Sequence, residues 1–155
     1  MAYPVLDSDW NRNRELADNI WHAQMAYCPT VLTYSGPALG AQNRSDAMHF
    51  DLDGIRKEIL HIRSRDEYPS ACTLEGGVAS WVGHIPAAQN SSQGGLIASF
   101  IRTNGIQPCS SKNAKRSKFI VRVINHPNGD VKPPPHGKDG KNLTNLAALQ
   151  RIKLG

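Results

Sequence analysis

Two stretches of the chain hold residue types that could do chemistry together. The first is Arg65-Asp66-Glu67-Tyr68-Pro69-Ser70-Ala71-Cys72-Thr73-Leu74-Glu75-Gly76-Gly77, and the second is Ile85-Pro86-Ala87-Ala88-Gln89-Asn90-Ser91-Ser92-Gln93-Gly94-Gly95. Two adjacent acids precede a proline turn. A Gly-Gly break, a short strand and an Asn at a helix start follow in that order. The order suits a metal-assisted hydrolase, in which a carboxylate handles a proton and oxygen ligands hold a hard cation. Each piece alone has a plainer reading: two acids in a row are a solvated surface, and an Asn before a helix is an N-cap.

Taken together, the two stretches resemble the NucA/NucB family of secreted deoxyribonucleases. That family's core carries Asp-Glu-Tyr-Pro or a Trp-Pro variant, then Glu-Gly-Gly, then a Pro followed by an Asn, here Pro-x-x-x-Asn, with a glycine-rich helix start. The matching residues are Asp66, Glu67, Tyr68, Pro69, Glu75, Gly76, Gly77, Pro86, Asn90, Gly94 and Gly95. The likeness runs from about Arg65 to Phe100 and more weakly to Val123, and it is greater to the subgroup with Gln-Gly-Gly after the Asn than to the short Bacillus enzymes.

The resemblance implies an α+β fold: a small antiparallel sheet with a ββα-metal, or His-Me finger-like, core at about 65–104 and flanking helices. It implies a phosphodiester hydrolase that uses a divalent metal, Mg²⁺ first and Mn²⁺ as the alternative. Asp66 takes the place of the base and Asn90 holds the metal. Asp66 would then need burial or a neighbouring charge to lift its pKa from about 4 toward neutrality, or would orient a metal-bound water instead, while Arg65 pulls the other way. Glu67 and Glu75 join the catalytic set, although Glu67 could lie across the strand from Asp66 and Glu75 could accept backbone N–H bonds beside the Gly-Gly turn. Gln93, one turn from Asn90, could reach the water shell of the ion. One departure stands out: residues 91 to 104 contain no Asp or Glu, and Arg102 is their only charge. Gln93 or Glu75 would have to substitute for a missing helix carboxylate, or water would.

Those stretches need a scaffold, and 155 residues suffice for one domain spanning the whole chain. The spacing of Leu16, Ala17, Ile20, Ala23 and Tyr27 predicts a single amphipathic helix from about 9 to 27, with Trp21, His22 and Met25 toward its other side or flank. Val31-Leu32-Thr33-Tyr34 reads as a short strand. Residues 45 to 62 read as helical pieces, with Asp51 and Asp53 in a solvated turn. Val78 to Ile85 reads as a strand with alternating faces, Asn90 or Ser91 to Asn104 as a helix stopped by Gly105, Lys118 to Ile124 as the clearest strand, and Leu143 to Leu154 as a last helix. His22 reads as a surface or half-buried helix residue, and His126 and His136, in turns, have no spaced partners that would make a metal site.

The net charge of +5 is unevenly placed: residues 1–111 carry 8 basic against 11 acidic side chains, and residues 112–155 carry 10 against 2. A basic segment at 112–155 suits a phosphate backbone, and Lys112, Lys115, Arg116, Lys118 and Arg122 are its candidate DNA contacts. Neither a signal peptide nor a membrane span is visible, and no nucleotide cofactor is implied. Cys28, Cys72 and Cys109 allow at most one internal disulfide. These features fit the C-terminal toxin module of a longer exported protein, delivered into a target cell and restrained by an acidic immunity protein. A trimmed extracellular DNase is the alternative with the same chemistry. A catalytically inactive nucleic-acid-binding module is the alternative of another class.

Overall fold

The computed structural model describes residues 2–37, 40, 42–43, 63–77 and 80–132. In chain order its elements are β1 (Val5–Asp9), α1 (Arg14–Met25), β2 (Val31–Thr33), β3 (Arg63–Tyr68), β4 (Trp81–Pro86), α2 (Ala87–Thr103), a 3-10 turn (Ala114–Ser117) and β5 (Lys118–Ile124). The class is α+β, as expected. β5 is the central strand of a three-stranded sheet, parallel to β1 and antiparallel to β2, while β3 and β4 form a separate antiparallel pair.

β5 explains why the sheet sits where it does. Phe119, Val121 and Val123 are buried on one face, and Leu16, Ala17, Ile20 and Ala23 of α1 belong to the same apolar cluster. The other face carries Arg122, which pairs with Asp7 of β1 at 2.8 Å. The helix expected over 9–27 is shorter at both ends. Val5–Asp9 is a strand because it finds backbone partners on β5, more than a hundred residues away, which local periodicity cannot register. The Asp9 carbonyl then accepts the N–H groups of Arg12 and Asn13, both at 3.0 Å, turning the chain into α1. At the far end Tyr27 has φ +68, so the helix stops before the expected Pro29. Trp21, expected on the outer flank, is buried: it stacks on His126 at 4.3 Å and donates to the Gly129 carbonyl at 3.0 Å. His126 in turn meets Asp18 at 3.0 Å and fastens the turn after β5 to α1.

Two polar clamps join the β3–β4 pair to the sheet. Gln24 of α1, buried, donates to the Tyr68 hydroxyl at 2.9 Å and to the Val121 carbonyl at 3.0 Å, linking β3 to β5. Glu75 takes both donors of Thr33, the backbone N–H at 2.8 Å and the hydroxyl at 2.7 Å, and so holds the loop after β3 against β2. Asn43 adds a third tie from its side-chain nitrogen to the Ala71 and Thr73 carbonyls.

β4 is shorter than the strand expected at Val78–Ile85, of which Val78 and Ala79 lie outside the described residues. It does not alternate either: Trp81, Val82 and Gly83 are buried in succession, because the pair is covered on both faces there. α2 begins three residues before Asn90 and ends beside Gly105, whose φ of +61 supplies the expected stop. The helical pieces at 45–62, with Asp51 and Asp53, and the helix at Leu143–Leu154 also fall outside the described residues, as does His136. The three cysteines are free thiols. No helix among the described residues is long and apolar enough to cross a membrane.

Candidate active site

The register of the β3–β4 pair sets Asp66 opposite Gly83. Asp66 is 3% exposed, on the strand that also carries the buried Tyr68. Its carboxyl is pushed up from 3.8 to about 7, first by burial and also by the neighbouring charge of Glu67, against a hydrogen bond from Asn19 that favours the ionised form. Burial thus supplies the upward shift that the sequence reading called for.

Raising this pKa has a thermodynamic cost of known sign. The folded chain holds the Asp66 proton more tightly than the unfolded chain. The corresponding stability is therefore present below about pH 4 and is lost as pH rises through about 7. Three pKa units correspond to roughly 4 kcal/mol as an order of magnitude, so at neutral pH the rest of the fold must carry a carboxyl that would be more comfortable in water.

A cleft of about 620 Å³ opens over this residue, between β3, the chain after Pro69, Tyr34 and α2. Asp66 and Glu67 line it from β3, and Asn90 and Gln93 line it from α2, so the structure brings these four sequence candidates together. Asn90 is not an N-cap: that position is Pro86, and Asn90 lies one turn inside the helix. Its side-chain nitrogen donates to the Ser64 hydroxyl at 2.6 Å and to the Arg65 carbonyl at 3.1 Å. The amide is thereby tied to the strand that bears Asp66. Gln89, from the same turn, accepts the Leu16 N–H at 3.0 Å and serves the start of α1, where Asn13 makes no side-chain cap bond.

Two of the expected contributors are placed elsewhere. Glu75 is not among the residues lining the cleft, and both of its oxygens are engaged by Thr33, whereas the sequence left open a role in the site or bonds to the backbone beside the glycine turn. Arg122 lies on the outward face of β5, where Asp7 holds its guanidinium by two hydrogen bonds of 2.8 and 3.1 Å. Lys112, Lys115 and Arg116 are exposed, and Lys118 is half-buried at the start of β5. The loop bearing the first three is stitched to the cleft wall through Tyr34, which receives the Cys109 N–H on its carbonyl and donates its own N–H to the Ser117 carbonyl, both at 2.8 Å.

Sequence reasoning missed Asn19. It is 1% exposed, donates to Asp66 Oδ2 at 2.8 Å and accepts the Trp81 indole N–H at 2.9 Å. The signal was available, since Asn19 is three residues after Leu16 and four before Ala23 and so falls inside the apolar stripe of α1.

Among the described residues no group of three His, Cys, Asp or Glu side chains could hold a metal ion. A cation in this cleft would have to rest on amide oxygens, single carboxylates and water.

The model of the family described as Deoxyribonuclease NucA/NucB matches residues 24–113, which include Asp66, Glu67, Glu75, Asn90 and Gln93. No curated protein matches the chain. The family match spans more than half of the sequence and contains the whole β3–β4–α2 segment that builds the cleft. The chain belongs to the NucA/NucB deoxyribonuclease family.

Proposed function

We propose that this chain is a metal-dependent endonuclease that hydrolyses DNA phosphodiesters in the cleft between β3 and α2. The observation that carries this reading is a buried carboxyl at Asp66, poised near neutrality at about 7, beside the tethered Asn90 in a cleft of the family's matched segment. A general base works best with a pKa near the working pH, and Asp66 meets that condition. The succession β3, β4, α2 follows the element order of a ββα-metal nuclease, and on that resemblance α2 is the metal-bearing helix.

The residues fit a hard divalent cation. Asn90, its nitrogen committed to β3, offers its amide oxygen, and Gln93 on the next turn offers another. Neutral oxygen donors of this kind suit Mg²⁺, which keeps several waters, and Mn²⁺ takes the same ligands. When bound, the metal supplies positive charge for the scissile phosphate and the leaving 3′ oxygen. The protein's part is the proton: Asp66, with Oδ2 held by Asn19, accepts a proton from the attacking water. Glu67 adds negative charge beside it and so helps to raise its pKa. Glu75 is left out of the set because it serves Thr33.

Incubating the purified protein with plasmid and Mg²⁺, then adding EDTA, tests the activity and its metal dependence. Cleavage should stop with EDTA, and Asp66→Ala should lose ~10²- to 10⁴-fold in rate. Asn90→Ala should be partly rescued by excess Mg²⁺. An Asp66→Ala variant within a few-fold of wild type removes Asp66 as the base, and a wild type with no cleavage leaves a nucleic-acid-binding module.

The loop carrying Lys112, Lys115 and Arg116 is the proposed DNA-backbone surface, with Lys118 at its edge and Arg122, paired with Asp7, farther along β5. Charge reversal at Lys115 and Arg116 should flatten the log–log dependence of DNA binding on salt by about 0.9 for each phosphate that is no longer neutralised. An unchanged slope would place the backbone elsewhere.

The finer reading is an exported antibacterial toxin, whose acidic inhibitor would be steered onto the same basic loop. Expression of the wild type in a host cytoplasm should then arrest growth while Asp66→Ala does not. A harmless wild type that cuts plasmid in vitro would favour the extracellular DNase.

A further inference from the structure

We infer that Asn19 is a positioning residue that orients the Asp66 carboxylate, so that α1, which lies almost wholly before the family's matched segment, completes the site. The inference rests on the reading of Asp66 as the base and adds the group that holds it.

Three observations support it. The first is which way the amide points. An indole N–H can only donate, so the 2.9 Å bond from Trp81 must end on the oxygen of Asn19. The opposite end is therefore the nitrogen, and it faces Asp66 Oδ2 at 2.8 Å. Trp81 thus fixes an N–H donor against the carboxylate.

The second is the space the amide occupies. A Cβ built at Gly83 would collide with the Asn19 side-chain oxygen and lie 2.7 Å from its amide carbon. Gly83 is the register partner of Asp66. A glycine there lets the amide lie flat against the β3–β4 pair where the carboxylate emerges.

The third is burial. Asn19 is 1% exposed, and an amide in that position is costly unless both ends are bonded. Both are bonded, and one of those bonds goes to Asp66. Among the described residues, Glu67 follows Asp66 on β3, Arg65 lines the same cleft, and His84 of β4 stands opposite Arg65, next to Gly83. The cleft-lining residues of α2, from Asn90 to Ile101, are uncharged. Asn19 is thus the group that holds Oδ2 of the Asp66 carboxylate in place.

Asn19→Asp tests this with little change of shape. It keeps an acceptor for Trp81 but sets an acceptor against Asp66, so the two carboxyls must share a proton. Plasmid cleavage with Mg²⁺ should show kcat at pH 7 reduced at least about tenfold, KM for DNA within about threefold of wild type, and the acid limb of kcat moved to higher pH by about one unit or more. Trp81→Phe, which frees the amide to flip, should give a smaller change in the same direction. Wild-type kcat with an unmoved acid limb in Asn19→Asp overturns the inference, and so does an effect confined to KM. If Asn19→Asp does not fold, Trp81→Phe decides by the same two readouts. Asp66→Ala is run alongside. If it stays active, the base reading falls and takes this inference with it; if it is inactive while Asn19→Asp is unchanged, only the positioning role of Asn19 falls.

Discussion

Burial of the Asp66 carboxyl is the constraint on which the rest of the structure depends. A carboxylate removed from water must be compensated or protonated, and here both occur in part: Asn19 donates one hydrogen bond to it, and its pKa rises to about 7. The fold accepts this cost in a short strand that Tyr68 and Pro69 anchor in the core immediately afterwards. A fully solvated Asp66 would leave the chain more stable at neutral pH, with a carboxyl that titrates near 3.8.

Holding such a group requires rigidity around β3, and the polar clamps supply it. Gln24 links Tyr68 to Val121, so β3 cannot drift from the sheet without breaking two buried bonds. Glu75 fixes the following loop to β2 through Thr33. Asn90 and Gln89, neighbours on α2, reach respectively to β3 and to the start of α1. Strand, loop and helices are therefore fastened to one another by side-chain bonds, while the bond from Asn19 reaches the Asp66 carboxylate itself. The exposed Asp7–Arg122 pair, by contrast, adds little to stability.

Much of this was legible in the sequence, for reasons that differ by element. β5 was readable because its β-branched run and its buried alternation coincide, and α2 because Ile97, Phe100 and Ile101 recur at helical spacing before a stop glycine. The Asp-Glu-Tyr-Pro motif and the stretch from Pro86 to Asn90 located the cleft. β1 was not readable: its partner is β5, and a five-residue segment shows no sign of a pairing that distant. The partners of Glu75 and Arg122 were hidden likewise: that Glu75 accepts a backbone N–H was among its readings, but that Thr33 supplies it, and that Asp7 engages the Arg122 guanidinium, depends on pairings distant in sequence. Asn19 was different, because its place in the apolar stripe of α1 was visible. A buried amide needs partners, and asking where they are would have pointed toward the acid that most needed a donor.

The most direct measurement of the central claim is a titration of the Asp66 side-chain carboxyl carbon by ¹³C NMR in metal-free buffer, assigned by its loss in Asp66→Asn. Burial beneath α1 requires a midpoint near 7, far above 3.8. A midpoint close to 3.8 would mean that the carboxyl is solvated in solution, and would contradict the account of Asp66 as a base made by the fold.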